Sequence, residues 1–354
     1  MTVRRLHKFT ASLLAGFFML AFCFVAAPAV SASEGTDVGF VMSAILPENQ
    51  HTNSTYFDLR MQPGQTQDLQ VRVVNTGVKD IIVQVDAITA STAESGFIDY
   101  KTKGVQDETL KTPFSSIATP KQPELTVPAG ESVVTEITVK MPEEEFDGII
   151  LGGISVTMDP SKQGDAQEEG EGIQIVNAYS YVTGVVLSET DVEVKPDFEG
   201  VSAYADMLHS RPAIFSEIRN SQAAIAKDVQ MDIKVFRDGE STPKWEESKL
   251  VEFAPNSLLR YGVMITDGEL EPGSYVSKVT MEKDGETWAF DLPFEVASNE
   301  ANEINDNSFS PSPTAQGAQQ MIPTWALIII IALALILILL LVLLLVMVLR
   351  RNRK

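Results

Sequence analysis

The sequence predicts an all-β protein with a single long helix at its C-terminus. Three observations support this prediction. Short apolar runs with a period of two recur through residues 36–297, turn residues separate them, and one uncharged apolar run follows at 325–349. Short antiparallel strands at such spacing, without helical stretches between them, are typical of immunoglobulin-like sandwiches. We therefore expect two immunoglobulin-like β-sandwich domains in tandem and one C-terminal transmembrane helix.

The N-terminus has the order of a secretory signal peptide. Three basic residues precede an apolar run at 13–27, and a small-residue cleavage site of the A-x-A kind follows. This order predicts a signal peptide over residues 1–32 that is cut between Ala32 and Ser33. The only cysteine of the sequence, Cys23, lies inside it. The mature chain is therefore expected to have no disulfide and no thiol chemistry.

The C-terminus has the order of a membrane anchor. As a helix, the uncharged run would be roughly 37 Å long, which is enough to cross the ~30 Å hydrocarbon core of a membrane. A tryptophan begins the run and a basic tail, residues 350–354, ends the chain. The positive-inside rule then places the tail in the cytoplasm and both domains outside the cell, facing the cell wall. The predicted anchoring residues are Trp325, Arg350, Arg351, Arg353 and Lys354.

The predicted extracellular part is strongly acidic. All 48 Asp and Glu lie between the signal peptide and the membrane span, whereas seven of the 27 Lys and Arg lie outside that part. Its net charge is therefore about −28, which disfavours nucleic acid and anionic polymers as direct ligands. Such a charge suits a solvated surface or a basic protein partner.

Composition divides the extracellular part into two domains. Residues 159–172, "DPSKQGDAQEEGEG", include no large apolar side chain and predict a flexible acidic linker. The predicted domains on either side of it are residues 36–158 and 173–297. Residues 298–324 are polar and contain Pro and Ser, which predicts a stalk that leads to the membrane.

Alternating strand patterns occur in both predicted domains. In the first, Leu69, Val71 and Val73 share one side of a strand. The second repeats the pattern over residues 229–236, "VQMDIKVF". Further along, Asp284–Gly285 predicts a two-residue turn between two long strands.

The glycine-rich stretch "EFDGIILGGISV", residues 145–156, raises the question of a phosphate-binding loop. Such a loop needs G-x-x-x-x-G-K-[ST], because the lysine neutralises phosphate and the hydroxyl binds magnesium. The stretch has neither the lysine nor a following helical pattern. We therefore interpret residues 149–158 as a β-strand, in which the glycines mark a bulge or a close backbone approach.

Candidate catalytic and metal-binding groups are few. Ser241 and Lys244 match the S-x-x-K pattern of penicillin-binding enzymes, but Pro243 between them predicts a hairpin loop instead of the helix that this motif needs. The only mature histidines, His51 and His209, lack ligand spacing, so no metal or cofactor is expected. A cell-wall-active hydrolase or transpeptidase, using carboxylates or Ser241, remains the alternative to a binding protein.

Several long stretches resemble a known family. They include "YFDLRMQPGQTQDLQVRVVNTG" and "MPEEEFDGIILGGISV" in the first predicted domain, and "NAYSYVTGVVLSE" and "WAFDLPFEVASNEANEIN" in the second. The order of signal peptide, two domains, stalk, membrane helix and basic tail is also that of the family. The chain resembles the WxL-interacting proteins of Gram-positive bacteria.

This resemblance implies a non-enzymatic protein of the cell surface. In the family, the first domain is of a peptidoglycan-binding type. The second is of a type that binds host components, such as extracellular-matrix proteins. The whole protein assembles with secreted WxL-domain proteins. The family offers no catalytic, cofactor or metal residues to carry over, and its partner-binding residues are not assigned to positions of this sequence.

Overall fold

The computed structural model describes residues 39–100, 107–158, 178–308 and 346–347. Up to residue 188 the strands are β1 (Phe40–Ile45), β2 (Phe57–Arg60), β3 (Thr66–Asn75), β4 (Ile81–Thr89), β5 (Ser91–Thr92), β6 (Ile98–Asp99), β7 (Ala118–Pro120), β8 (Glu124–Val127), β9 (Ser132–Lys140), β10 (Ile150–Met158) and β11 (Tyr179–Ser188), with helix α1 (Phe114–Ile117) before β7. Beyond it are β12 (Phe198–Leu208), β13 (Arg211–Asn220), β14 (Ala226–Arg237), β15 (Trp245–Phe253), β16 (Ser257–Met264), β17 (Gly273–Lys283), β18 (Glu286–Val296) and helix α2 (Ser298–Asn307). The prediction of an all-β protein is confirmed.

Several predictions concern residues outside the described ranges. They are the signal peptide with its cleavage site, the linker at 159–172, the basic tail, and the membrane span at 325–349 except for residues 346–347. Within the described ranges, no helix is both long and apolar enough to cross a membrane. The predicted cleavage and anchoring residues also lie outside the described ranges: Ala32, Ser33, Trp325, Arg350, Arg351, Arg353 and Lys354.

The described residues form two compact units, and the first is a two-sheet sandwich. It comprises the residues up to Glu199 together with Arg219–Asp228 and Val251–Leu259. One sheet has the strand order β1-β3-β9-β7 and the other β2-β11-β10-β4-β8. Inward side chains of both sheets share one core, which includes Phe40, Phe57, Leu69, Val71, Val73, Ile137, Ile154 and Leu187. The predicted alternation in β3 is thereby confirmed.

Strand β11 is part of this first sandwich. It pairs antiparallel with β10 from Met158↔Tyr179 to Ile150↔Leu187, and it pairs parallel with β2 on its other side. The predicted second domain begins at residue 173, before this strand. The polar composition of 159–172 indicates a connection but does not say which sheet the strands on either side join. Here the connection joins two neighbouring strands of one sheet.

The glycine pair of β10 has a packing role. Gly152 and Gly153 lie in a strand that pairs along both edges with β4 and β11, as the sequence indicated. A Cβ atom at Gly152 would lie 2.2 Å from Cγ and Cδ1 of the Phe114 ring. Phe114, the first residue of α1, is fully buried. Glycine is therefore present because the ring packs directly on the backbone, as expected for a close approach.

A buried ion pair links the segment Arg219–Asp228 to the rest of the first unit. Arg219 Nε donates to Asp107 Oδ2 at 2.8 Å, and its other nitrogens reach Glu108 and Glu199. Burial raises the pKa of the Asp107 carboxyl, but hydrogen bonds from Thr109 and Arg219 lower that pKa by more. Because the net pKa is lowered, the pair stabilises the fold at neutral pH and loses this contribution as the pH falls through the folded-state pKa.

The second unit contains most of each strand from β12 to β16, all of β17 and β18, and a final helix. Its sheets have the orders β12-β13-β16 and β15-β14-β17-β18. The apolar side of β14 is buried, as its alternation predicted. Strands β17 and β18 form the predicted hairpin, in which Asp284 and Gly285 have positive φ angles of 50° and 83°. This is the conformation that a type I′ turn requires.

Helix α2 occupies the first ten residues of the predicted stalk, Ser298–Asn307. Ala301 and Ile304 are buried, and their spacing places them on one face of the helix. The Asn305 side chain accepts from the Leu270 N–H at 3.0 Å and donates to the Leu270 carbonyl at 2.9 Å. These contacts make α2 a folded part of the second unit. Two apolar residues in a polar stretch are a weak signal, which explains why composition indicated a stalk here.

Candidate binding sites

A cleft opens beside β2 and β11 in the first unit. It has a volume of about 370 Å³, which is within the range of roughly 300–1,000 Å³ that is usual for small-ligand sites. Its walls combine charged side chains from the strand ends with small apolar ones. They include Asp58, Arg60, Val186, Asp191, Glu193 and Ile225.

Arg60 is the cationic group of this cleft. Its Nη2 pairs with Asp191 Oδ1, and the Asp191 side chain is 89% exposed. The other terminal nitrogen, Nη1, is buried and has no hydrogen-bond partner among the described residues. A buried donor without an acceptor costs about 1–3 kcal/mol, and more when the group is charged. The guanidinium therefore has unused capacity to donate to an anionic or carbonyl oxygen.

Asp58, two residues before Arg60, is fixed in position by its surroundings. Thr52 Oγ1 donates to Asp58 Oδ2 at 2.5 Å, and the His51 N–H donates to the Asp58 carbonyl at 2.6 Å. Asp58 itself is nearly buried. With Asp191 and Glu193, the cleft contains three carboxylates and one guanidinium. The charged side chains of the cleft are therefore net negative, although a buried nitrogen of its cation, Arg60, has no acceptor.

A second candidate is a groove in the second unit. It has a volume of about 590 Å³ and lies where the start of β15 and the end of β16 form its walls. Both strands are edge strands of their sheets. Trp245, Val263 and Met264 supply an apolar surface, and Met264 is 39% exposed. Edge strands offer backbone N–H and C=O groups that another chain can pair with.

The rim of this groove, which we call the acidic rim, is negatively charged. Five carboxylates and one lysine line the groove. Lys244 Nζ lies 3.3 Å from Glu271, and its hydrogen bond holds the pKa of the Glu271 carboxyl below its usual value. The side chains of Glu246, Asp267 and Glu269 are exposed and make no hydrogen bond or ion pair with described residues. These three form the acidic rim.

One further carboxylate of the groove has a local partner. The Tyr261 hydroxyl donates to Glu247 Oε1 at 2.5 Å, which links β16 to β15. Burial raises the pKa of the Tyr261 hydroxyl, and the hydrogen bond to Glu247 raises it further. The tyrosine therefore stays protonated and keeps this link throughout the ordinary pH range.

The candidate catalytic and metal residues of the sequence do not form a reactive centre in the described residues. Ser241 lies in the loop between β14 and β15, which confirms the predicted hairpin loop, and Lys244 is engaged by Glu271. His51 lines the cleft of the first unit, whereas His209 lies in the turn between β12 and β13. Across the described ranges, no group of three or more His, Cys, Asp or Glu could hold a metal ion.

The residues of both candidate sites are not among those predicted from the sequence. Asp58 and Arg60 belong to the stretch "YFDLRMQPG", which carries part of the family resemblance but has no recognisable site motif. The ion-pair partner of Arg60, Asp191, lies 131 residues after it in the sequence. No local motif links positions so far apart, since it is the parallel pairing of β2 with β11 that brings their ends together. The groove likewise depends on which strands become sheet edges.

Comparison with solved structures finds bacterial chaperones. The CupB2 chaperone of Pseudomonas aeruginosa is 12% identical with a TM-score of 0.28, covering 68% of this chain and 97% of that one. The E. coli chaperone DraB is 13% identical with a TM-score of 0.30, covering 72% and 96%. TM-scores this low support no inference about the fold or the function of this chain. No curated protein matches the chain at a significant level.

Two family models match successive parts of the chain. Residues 40–158 match the peptidoglycan binding domain of the WxL Interacting Protein family, and residues 170–306 match its host binding domain. The order of the two domains is the one that the sequence resemblance implied. The residues of the cleft beside β2 and of the acidic rim lie within the matched ranges. Both models describe binding domains. The chain therefore belongs to the WxL-interacting protein family, with a peptidoglycan-binding domain followed by a host-binding domain.

Proposed function

We propose that this protein is a non-enzymatic, membrane-anchored assembly protein, which contacts peptidoglycan through its first domain and docks a WxL-domain protein. The observation that favours docking most is the groove between β15 and β16, with its apolar surface and its acidic rim. The match to a peptidoglycan binding domain supports the contact with peptidoglycan. The match to a host binding domain supports host components, such as extracellular-matrix proteins, as further ligands.

The groove suits a partner that presents a basic strand. Two open strand edges can hydrogen-bond to an added strand, and alternate apolar side chains of that strand can pack on Trp245 and Met264. The three free carboxylates of the acidic rim then attract lysine or arginine on the strand's other side. We assign this role to a basic edge strand of the WxL-domain protein.

Membrane anchoring is proposed from the sequence. The uncharged run at 325–349 and the basic residues after it support a single crossing with the C-terminus in the cytoplasm. Since helix α2 ends at Asn307, the connection from the second unit to the membrane is shorter than the predicted stalk. Both domains would lie close to the membrane, within the cell wall.

Incubation with purified peptidoglycan tests the binding function against the enzymatic alternative. We expect the purified fragment 33–324 to sediment with insoluble peptidoglycan and to release no soluble wall fragments. The variant Ser241→Ala should behave identically, because Ser241 lies in an exposed hairpin loop. The readouts are the bound fraction after centrifugation and chromatography of the supernatant. Release of wall fragments that grows with time would establish a hydrolase instead, and release of free D-alanine would establish a transpeptidase.

A further inference from the structure

The cleft beside β2 and β11 points to a ligand with two opposite charges. We infer that it binds a short zwitterionic peptide, whose carboxylate pairs with Arg60 and whose ammonium group lies among the carboxylates of the cleft. The inference rests on the proposed peptidoglycan contact and names the part of peptidoglycan recognised. That part is a stem peptide with a free amine and a free C-terminus.

The guanidinium of Arg60 indicates where the carboxylate binds. Its Nη1 is desolvated without an acceptor, while Nη2 is paired with Asp191. Two adjacent N–H donors in one plane match the two oxygens of a carboxylate, and such bidentate pairs are stronger than single contacts. The side chain of Asp191 is 89% exposed, and an exposed ion-pair partner is readily displaced. A ligand carboxylate can therefore replace Asp191 and also engage Nη1.

The remaining charges of the cleft indicate the ammonium group. Asp58, Asp191 and Glu193 outnumber the single cation Arg60, so a simple anion would meet net repulsion. A ligand that carries one positive and one negative charge avoids this repulsion. Asp58 is positioned by Thr52 and by the backbone of residue 51, so it offers an ordered acceptor.

The apolar wall limits the size of the ligand's side chains. Val186 and Ile225 lie on this wall together with Ala223 and Ala224, and the whole cleft has a volume of about 370 Å³. This space suits a few residues with side chains as small as alanine. Stem peptides of peptidoglycan contain alanine next to a residue with a side-chain amine. Cross-linking converts that amine into an amide and removes the terminal residue of the other stem, so the site would select stems that are not cross-linked.

Titration calorimetry with a defined peptide tests this inference. The probe is N-acetyl-L-Ala-D-isoglutamine-L-Lys-D-Ala-D-Ala, which has one ammonium group and one carboxylate, titrated into fragment 33–324. We expect Arg60→Gln to weaken binding about tenfold or more, because charged hydrogen bonds are lost. Asp191→Ala should tighten binding about two- to fivefold, because it removes the carboxylate that competes for Arg60 while Asp58 and Glu193 remain to hold the ammonium group. A variant that merely unfolds cannot give this gain. Arg72→Gln, an exposed arginine on β3, is the matched control and should change nothing.

Altered probes separate the possible sources of binding. A peptide with an amidated C-terminus, or with an acetylated lysine amine, should bind about tenfold more weakly than the parent. The inference is overturned if both altered peptides bind as well as the parent, or if Arg60→Gln binds as wild type. It is also overturned if only glycan oligomers bind. Sedimentation with whole peptidoglycan that is unaffected by Arg60→Gln would leave the proposed function intact while removing this site.

Discussion

A fragment that ends at residue 158 is expected to be unfolded, although the match to the peptidoglycan-binding family model ends there. The fragment lacks β11, which lies between β2 and β10 in the five-stranded sheet. Without it, β2 loses the strand it pairs with and β10 loses one of its two neighbours. The loss is therefore in the middle of the sheet and not at its edge.

The expected loss exceeds the usual stability of a domain. Val185 and Leu187 of β11 are fully buried, and each contributes about 1.5–3 kcal/mol through burial alone. The hydrogen bonds of two strand pairings and the Arg219 ion pair are lost as well. Domains are stable by only about 5–15 kcal/mol, so the shortened sandwich should not survive.

Circular dichroism of two purified fragments checks this expectation. Fragment 36–158 should lack near-ultraviolet signal and a cooperative thermal transition. Fragment 36–308 includes every described residue except 346–347 and should show both the near-ultraviolet signal and a cooperative transition. A cooperative transition of fragment 36–158 at the temperature of the longer fragment would show that β11 is dispensable to the sandwich.

The second large effect is expected at Gly152. A Cβ atom there would lie 2.2 Å from two ring carbons of Phe114, and the ring is fully buried. Overpacking of a core typically costs about 1–3 kcal/mol, and a contact this short with a fixed ring should exceed that range. Gly152→Ala should therefore lower the free energy of unfolding of the first unit, and Gly152→Val should lower it further. Urea denaturation followed by fluorescence measures both changes.

Gly184 provides the matched control for this substitution. It lies opposite Gly153 on β11, and a Cβ atom there would come no closer than 3.8 Å to any atom, which is ordinary contact. Gly184→Ala should change the free energy of unfolding by less than about 1 kcal/mol. Removing the ring in the double variant Gly152→Ala, Phe114→Ala takes away Cγ and Cδ1, so the double variant should cost less than the sum of the single changes. Additive costs would mean that the ring is not what Gly152 accommodates.

The strands of this fold could be predicted because their signal is local. Apolar alternation in β3 and β14 reports burial of one face, and Asp284–Gly285 has the residues that a type I′ turn requires. The glycines of β10 could be assigned to a strand for the same reason, because the lysine and the helical pattern of a phosphate-binding loop do not follow them. Each of these conclusions depends on neighbouring residues along the chain.

The pairing of distant segments could not be predicted in this way. Which sheet receives β11 depends on contacts between Val185 or Leu187 and a core assembled from residues far away in sequence. The cleft depends in turn on that pairing, because it brings Arg60 next to Asp191. The ion pair of Arg60 with Asp191 leaves no signature in the amino-acid composition or in the hydrophobic periodicity. The same is true of the Arg60 nitrogen that lacks an acceptor.

The most direct test of the central claim is the binding of fragment 33–324 to a WxL domain encoded beside it. Surface plasmon resonance with both folded proteins should show direct binding, with an association rate that falls as salt is raised. Reversing the charge of the acidic rim with Glu246→Lys and Glu269→Lys should slow association further. The account predicts binding at low salt that this double variant weakens. No detectable binding at tens of micromolar in low salt would contradict it.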